Sequence, residues 1–207
     1  MQEQELALNQ TQQDALRELC NIGMGHATTA LAQLLNKTIL FEVPQVRRVK
    51  ISRVPVLVGG KDEMVVGIYM RFQGPVQGNI LIMFPHHSVL ALQEIITGKK
   101  KTEIVLDEYL TSMLKEIGNI LVGSYLSVME KLLGMKLVQS VPLFAFDLAR
   151  AIIDPILAQV GEERDYTLLT EAVFHLKDSP KLKGKFFLIP DPESVRLMLE
   201  SVGLAEN

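Results

Sequence analysis

The same pattern of polar residues occurs twice in this sequence, with a constant shift of 98 positions. The residues that carry it are Asp14, Glu18 and Asn21 in the first copy, and Ser112, Glu116 and Asn119 in the second. Residues spaced i, i+4 and i+7 share one face of an α-helix. Any fold of this chain must therefore display that face on two helices.

The apolar residues around the first copy recur with a helical period and predict one long helix. We expect it to begin near Gln12, with Thr11 as the N-cap and Asp14 completing a capping box. It should end at Leu35, because Asn36 readily takes the left-handed conformation that closes a helix. The first polar face is thus predicted to lie on an unusually long helix.

A second long helix is predicted from Glu108 to about Leu133, with Asp107 as its N-cap and Gly134 as its stop. The shift of 98 also relates pairs outside the polar pattern, and no insertion is needed over this span. These pairs are Gly25 with Gly123, Leu35 with Leu133, and Pro44 with Pro142.

Runs rich in Val and Ile between Gly- and Pro-containing segments predict the strands, namely 38–44, 46–58, 64–72, 79–84, 135–144, 166–176 and 184–189. A loose hairpin should join 64–72 to 79–84, and 59–62 reads as a turn. Shorter helices are predicted at 86–97, 147–153 and 192–202. The segment 156–164 has no clear pattern.

The two halves of the chain therefore share one order of elements: long helix, strands, hairpin and short helix. This order predicts an internal repeat over about 11–98 and 107–203. Each half would bury an apolar sheet face and an amphipathic helix against the other. We expect an α+β fold of pseudo-twofold duplicated α-β units, in which two long helices carry the sites and pack with an antiparallel β-sheet. The whole of 1–207 should form a single domain.

Composition excludes several classes of function. The net charge of −3 provides no broad basic surface, so we expect no nucleic-acid partner. The first residues are polar and acidic and no apolar run could span a bilayer, which predicts a cytoplasmic protein without a membrane partner. The single cysteine, Cys20, excludes an internal disulfide, and its apolar neighbours predict a buried, inert thiol. His86 and His87 are adjacent, lack a completing ligand, and predict no metal site.

Glycines mark both long helices. Gly25 and Gly123 lie one turn beyond the asparagines on the same face, where a helical glycine costs about 1 kcal/mol relative to alanine. We therefore predict that a partner approaches the helix backbone at both positions. Gly23 and Gly118 lie near the apolar stripe instead, and predict close packing within the protein.

A Glu and an Asn on one exposed helix face are most simply solvated surface residues. A functional interpretation rests on the recurrence of the same polar residue types, because shared core packing does not require a duplicated polar face. Neutral Asn cannot act as a base, but its carboxamide can hold a water in line with a phosphorus atom. Ionised Glu can hold a cation. Such a pair could complete an active site that lies on another protein.

The repeated pattern resembles the signature of the CheC-type chemotaxis phosphatases, a family that includes CheX and FliY. In both copies the pattern ends with a proline 23 positions after the asparagine, at Pro44 and Pro142. The resemblance covers essentially the whole chain. Two motifs in one chain ending at Asn207 favour the CheC branch, and imply a monomer.

The resemblance implies a phosphatase acting on the phosphorylated response regulator CheY. Asn21 and Asn119 would enter the regulator and position the hydrolytic water, while Glu18 and Glu116 would pair with one of its lysines. The chain would need no cofactor or metal of its own, since magnesium would belong to the regulator. The family also implies the deamidase CheD as a partner.

A different class of function remains open. The same helix faces could belong to a non-enzymatic binding module that sequesters phosphorylated CheY or regulates CheD. Asp14, Gly25, Ser112 and Gly123 would contact the partner under either hypothesis.

Overall fold

The computed structural model describes residues 8–59, 63–100, 102–161, 166–177 and 179–204. The described helices are α1 (Gln10–Leu35), α2 (Val54–Gly59), α3 (His86–Thr97), α4 (Glu108–Leu133), α5 (Ala149–Gly161) and α6 (Pro192–Ser201). The described strands are β1 (Ile39–Phe41), β2 (Gln45–Lys50), β3 (Met64–Gln73), β4 (Gly78–Pro85), β5 (Val138–Gln139), β6 (Leu143–Leu148), β7 (Tyr166–Leu176) and β8 (Ser179–Pro190). A short 3-10 turn, Ile51–Arg53, precedes α2.

The eight strands of the described residues form one antiparallel sheet, in which the halves of the chain exchange strands. Its path runs β1-β7-β8-β4-β3-β5, with β2 also paired to β7 and β6 to β3. Thus β1 and β2 of the first half extend the hairpin of the second half, while β5 and β6 extend the hairpin of the first. The two hairpins meet where β4 pairs with β8. The predicted α+β fold with antiparallel strands is confirmed.

Strand registers follow a pseudo-twofold relation. Gln45 pairs with Glu171 across β2 and β7, and Leu143 pairs with Tyr69 across β6 and β3. A shift of 98 takes residue 45 to 143, and a shift of 102 takes residue 69 to 171, so the two exchanged pairings are equivalent.

Helices cover both faces of the sheet and bury two separate cores. The larger core joins α1, α4, α3 and α6 to the strand residues represented by Ile68 and Ile82. The smaller core joins α2 and α5 to the opposite face, represented by Leu81 and Phe187. Both long helices therefore have one side buried, which leaves their other side to carry the polar pattern.

Helix ends agree with the prediction at most positions. Asn36 is left-handed with φ 50°, and Gly98 and Gly134 close α3 and α4 with φ 68° and 66°. Asp107 caps α4 by accepting from the Leu110 amide at 2.8 Å. Within the described ranges, no helix has both the length and the apolar character needed to cross a membrane.

The predicted N-cap of α1 is wrong. Asn9 caps this helix, because its side chain accepts from the Gln12 amide at 2.9 Å and the Gln12 side chain accepts from the Asn9 amide at 3.0 Å. Both halves of a capping box are satisfied by this pair, two residues before Thr11. Asp14 therefore takes no part in the cap and instead accepts from Gln10 and Arg17 on the same helix.

The predicted strand over 46–58 is also wrong beyond Lys50, where the chain turns into α2. Val54 and Val58 are four residues apart and both are buried in the smaller core, so burial favours a helix despite their β-branching. Pro55 lies in the first turn of α2, where its missing amide hydrogen costs nothing. The predicted turn over 59–62 begins with the last residue of α2, and 60–62 lie outside the described residues.

In the second half, the predicted strand 135–144 is divided into β5 and β6 around Pro142. The predicted helix 147–153 begins at Ala149 and continues through Pro155 to Gly161. An internal proline opposes a helix, but Ile156 and Leu157 beyond it are both buried in the smaller core. The helix therefore takes in 156–161 of the unassigned segment, while 162–164 lie outside the described residues.

Two strands are longer or shorter than predicted only at their ends. The strand predicted at 184–189 is β8, which begins at Ser179, and 38–44 contains only β1. The strands predicted at 64–72, 79–84 and 166–176 are confirmed, as is the hairpin between β3 and β4.

Close packing at two helix glycines is confirmed. A Cβ atom on Gly23 would lie 2.5 Å from the Tyr125 ring, and one on Gly118 would lie 2.6 Å from Ile68. Tyr125 and Cys20 are both buried between α1 and α4, with the thiol sulfur 3.3 Å from the phenol oxygen. Glycine at position 23 thus lets the two site-bearing helices approach each other.

Candidate functional site on the long helices

The polar face of α1 lies on the side of the helix away from the sheet. Its inner neighbours Leu16, Leu19 and Cys20 are buried, whereas Glu18 is exposed and Asn21 is half-buried. This placement follows from the helical period, since the apolar positions face the core and the polar pattern lies outside them.

Asp14 is held in a local network. Its Oδ1 accepts from the Arg17 guanidinium at 2.6 Å and from the Gln10 carboxamide at 3.1 Å. The salt bridge is partly exposed, so its stabilisation is modest. The salt bridge holds the Arg17 guanidinium against Asp14, one helical turn before Glu18 on the same face.

On α4 the acid and the amide of the pattern are in contact. The Asn119 Nδ2 donates to the Glu116 Oε2 at 3.4 Å, a long hydrogen bond between two side chains three residues apart. Glu116 is exposed and Asn119 is half-buried, as are their counterparts Glu18 and Asn21. Ser112 is exposed one turn earlier. Each long helix therefore presents an acid and an amide that one partner could contact together.

The two helix-face glycines have different surroundings. A Cβ atom on Gly25 would lie 4.0 Å from the Phe41 ring, which is an ordinary contact, so packing within the protein does not require glycine there. A Cβ atom on Gly123 would lie 3.4 Å from the Gln139 Oε1, which is the far end of a flexible side chain. Packing within the protein therefore does not require glycine at either position, and the approach of a partner at Gly25 and Gly123 stays a prediction.

The prolines of the pattern lie in the connections that follow the first strand of each half. Pro44 is buried between β1 and β2, and Pro142 is half-buried between β5 and β6. Pro44 also lines a cleft of about 340 Å³ between α1 and this connection. Sequence reasoning missed the cleft. Its helix side is formed by Gln10, Gln13 and Arg17, whose i, i+3, i+7 spacing was the available signal.

Other candidate residues do not join these faces. Among the described residues, no group of three or more His, Cys, Asp and Glu side chains could hold a metal ion. His86 and His87 are exposed and are the first two residues of α3, which confirms the predicted start of this helix.

Burial sets the acidity of the two groups between the long helices. It raises the pKa of the Cys20 thiol above its ordinary value of 9.0, although hydrogen bonds to Tyr125 and Thr170 act in the opposite direction. Burial likewise raises the pKa of Tyr125 well above 10.0, and the nearby thiol adds to this effect. Both groups are neutral near pH 7, so the predicted inert thiol is consistent with the structure.

The chemistry of each face is limited to binding and positioning. A carboxylate can accept from a cation, and a carboxamide can both donate to and accept from a water molecule. The described part of each face offers no hydroxyl–imidazole pair that could act as a nucleophile. The reacting group would therefore have to lie on a partner.

The fold and the two faces define a class of protein: a pseudo-twofold α+β protein with an acid–amide face on each of two long helices. A family model described as the CheC-like family matches residues 12–48 and 111–144, which include every residue of both faces. The CheY-P phosphatase CheC of Bacillus subtilis (strain 168) is 30% identical over 200 residues, covering 95% of this chain and 96% of the relative. The chain belongs to the CheC-like family.

Solved structures share the fold. FliY of Thermotoga maritima superposes with a TM-score of 0.78 at 22% identity, covering 97% of this chain and 100% of FliY. A chain of the Borrelia burgdorferi CheX–CheY–BeF3–Mg2+ complex superposes with a TM-score of 0.53 at 16% identity, covering 81% of this chain and 94% of that chain. At these identities the likeness concerns the fold alone.

Proposed function

We propose that this protein is a phosphatase that dephosphorylates a phosphorylated CheY-type response regulator in chemotaxis. The observation that carries the proposal is the pair of Glu–Asn faces, displayed on two helices of a chain that belongs to the CheC-like family. The Bacillus subtilis relative is named a CheY-P phosphatase, and the Borrelia burgdorferi neighbour was solved in a complex with CheY. Both names support a response regulator as the substrate.

In the proposed mechanism, Asn21 or Asn119 enters the regulator's active site. The carboxamide holds a water molecule in line with the phosphorus of the aspartyl phosphate. Attack by this water breaks the bond between phosphorus and the carboxylate oxygen, which releases inorganic phosphate and regenerates the aspartate. Phosphoryl transfer depends mainly on positioning and electrostatic stabilisation, so a neutral amide suffices for this role.

Glu18 or Glu116 would anchor the complex by pairing with a lysine of the regulator. The 3.4 Å contact between Asn119 and Glu116 supports a shared role, since both side chains can reach one small area of a partner. Magnesium would be bound by the regulator and would neutralise charge on the phosphoryl group. The protein's own residues would supply the docking and the water position.

An alternative of another class uses the same faces without chemistry. The protein would sequester phosphorylated CheY, or regulate CheD, as a binding module. Sequestration needs the anchoring carboxylates but not a water-positioning amide on both helices, and this difference favours the phosphatase. Binding of CheD and a monomeric state are parts of the same proposal.

The test is the rate of phosphate release from phosphorylated CheY with Asn21→Ala, Asn119→Ala and the double variant. Each substitution should lower turnover at its own site by about a hundredfold, because the water loses its positioning group. Single variants should retain much of the activity through the other site. The double variant should lose the acceleration while its affinity for the regulator is preserved.

The matched control is Gln33→Ala, which removes an exposed carboxamide from α1 away from the polar face. It should leave phosphate release unchanged. Full turnover by the double variant would contradict the phosphatase mechanism and leave the binding module as the better explanation.

A further inference from the structure

The cleft beside the first polar face is lined by cationic and amide side chains. It measures about 340 Å³ and lies between α1 and the β1–β2 connection. Its lining residues are Gln10, Gln13, Arg17, Val43, Pro44, Gln45, Val46 and Arg47. This set contains two guanidinium groups and no carboxylate, so the cleft favours an anionic occupant.

Both guanidinium groups are anchored at the edge of the cleft. Arg17 Nη2 donates to Asp14 at 2.6 Å, a bond that engages one of five N–H groups. Arg47 Nη2 donates to the Gln45 side chain and lies 3.8 Å from the Glu171 carboxylate. Both arginine side chains remain more than two-fifths exposed despite these pairings. Each guanidinium therefore has N–H groups left to donate to a second carboxylate in a bidentate arrangement.

The cleft is continuous with the first polar face. Gln13 and Arg17 each precede a face residue, Asp14 and Glu18, by one position, which corresponds to about 100° around the helix. The bond from Arg17 to Asp14 joins the two rows directly. A protein docked on Glu18 and Asn21 would therefore also cover the cleft.

The second polar face has a different border. Positions equivalent to Arg17, Gln45 and Arg47 under the shift of 98 are Lys115, Leu143 and Ala145. Leu143 is exposed at 60% and is apolar where the first site has Gln45. Exposed Val138 and Val141 do not distinguish the borders, because their counterparts Leu40 and Val43 are exposed as well. The difference is therefore one of charge, since Lys115 keeps the charge of Arg17 and Ala145 replaces Arg47. Pseudo-symmetry therefore ends at the borders of the two sites.

We infer that Arg17 and Arg47 form a carboxylate-binding subsite that makes the first site selective for a regulator with an acidic docking surface. This inference rests on the proposed function, since the occupant is the docked regulator. Its carboxylates would enter the cleft while Glu18 and Asn21 engage its active site. Binding at the first site would then depend on charge, and binding at the second site, where Ala145 replaces Arg47, would depend less on it.

The test isolates each site in the full-length protein. Glu116→Ala with Asn119→Ala removes both the anchor and the water-positioning amide of the second site, and Glu18→Ala with Asn21→Ala does the same at the first site. These two double variants are called the Asn119→Ala background, in which only the first site binds and turns over, and the Asn21→Ala background, in which only the second does. In each background, Arg17→Gln with Arg47→Gln removes both charges, and Arg150→Gln is the control, because it removes a paired surface guanidinium from α5. The measurements are the Kd for the regulator, and the kcat and KM for phosphate release, at low and high salt.

In the Asn119→Ala background, the double arginine change should raise Kd and KM by about three- to tenfold at low salt and leave kcat unchanged. It should also flatten the salt dependence of binding. In the Asn21→Ala background the effect should be smaller by at least half, and Arg150→Gln should have no effect in either. Rescue by Arg17→Lys with Arg47→Lys should be partial, since lysine keeps the charge without the bidentate geometry.

Equal effects in both backgrounds, or an unchanged Kd in both, would overturn the subsite. Inorganic phosphate at matched ionic strength could also abolish the rise in Kd caused by the arginine changes. That result would show that the cleft binds small anions in general, and it would overturn the carboxylate subsite as well. Failure of the proposed function would look different: no variant, including the wild type, would accelerate phosphate release. The Kd measurements would still decide the subsite in that case.

Discussion

Gly23 and Gly25 lie two residues apart on α1, but their surroundings are opposite. Gly23 faces the buried Tyr125 ring, whereas Gly25 has only the Phe41 ring at the limit of ordinary contact. The conformational entropy cost of glycine in a helix is the same at both positions. Substitution to alanine therefore tests packing within the protein at Gly23, and the predicted approach of a partner at Gly25.

Gly23→Ala should lower the free energy of unfolding by about 1–3 kcal/mol, because its Cβ atom would overlap Tyr125 and force α1 away from α4. Gly25→Ala should keep or raise this free energy, by up to about 1 kcal/mol. Urea unfolding of both variants measures the difference. Destabilisation by Gly25→Ala, or none by Gly23→Ala, would contradict these packing assignments.

If a partner approaches the helix backbone at Gly25, the stable Gly25→Ala variant should bind the regulator more weakly. Measured in the Asn119→Ala background, its Kd should rise severalfold although its fold is intact. An unchanged Kd would mean that Gly25 serves neither packing nor docking.

The buried Cys20 and Tyr125 predict a loss of stability in alkaline solution. Burial raises the pKa of each group in the folded state above ordinary values of 9.0 and 10.0, so the unfolded chain releases these protons first. Their contribution is complete below pH 9 and is lost as the pH rises, with a slope of about 1.4 kcal/mol per pH unit for each group. The free energy of unfolding of the wild type should fall between pH 8 and pH 10.5, and that of the Cys20→Ala variant should fall less steeply. A flat profile for the wild type would contradict this linkage.

At the scale of single elements, the caps decide where the site-bearing helices begin. Asp107 accepts a hydrogen bond from the Leu110 amide, whereas Asp191 precedes α6 without a side-chain cap bond. The comparison tests whether the bond, rather than the residue type, stabilises a helix start.

Asp107→Ala should lower the free energy of unfolding by about 1 kcal/mol, because one amide in the first turn of α4 loses its acceptor. Asp191→Ala is the matched control and should cost clearly less. Chemical denaturation gives both values, and equal losses would show that the cap bond contributes little.

Elements with a strong local signal were predictable from the sequence. Both long helices follow a sustained 3.6 period with a left-handed stop at Asn36 or Gly134, and both were confirmed. The segment from Ile51 to Val58 was not, because its β-branched residues favour a strand locally, while burial of Val54 and Val58 on a second sheet face favours a helix. No local sequence pattern predicts that a second face of the sheet is buried there.

On the scale of the whole molecule, the exchange of strands ties the two halves together. β1 and β2 depend on β7 for their backbone partners, and β5 and β6 depend on β3. An isolated half would leave its own hairpin without an outer neighbour and its first strands unpaired, so edges and apolar surface would be exposed.

We therefore predict that neither 1–106 nor 107–207 folds alone, and that an equimolar mixture recovers the native far-UV circular dichroism and a cooperative thermal transition. The intact chain under the same conditions is the control. A cooperative transition from either half by itself would show that the single-domain prediction is wrong.

The amino-acid sequence was enough to predict the two long helices, the antiparallel α+β class and the family, because helical periodicity, capping residues and a twofold repeated motif are all local signals. It also determined which residues could share a face, since the spacing of Glu18 with Asn21, and of Glu116 with Asn119, is fixed by helix geometry.

Three features could be seen only in the folded chain: the exchange of strands, the second core under α2 and α5, and the cleft at Arg17 and Arg47. Each of these depends on segments far apart in the chain. Arg17 and Arg47 are 30 positions apart and line one cleft because the connection after β1 packs against the start of α1. Pairing partners and enclosed space arise from long-range contacts, which no window of neighbouring residues contains.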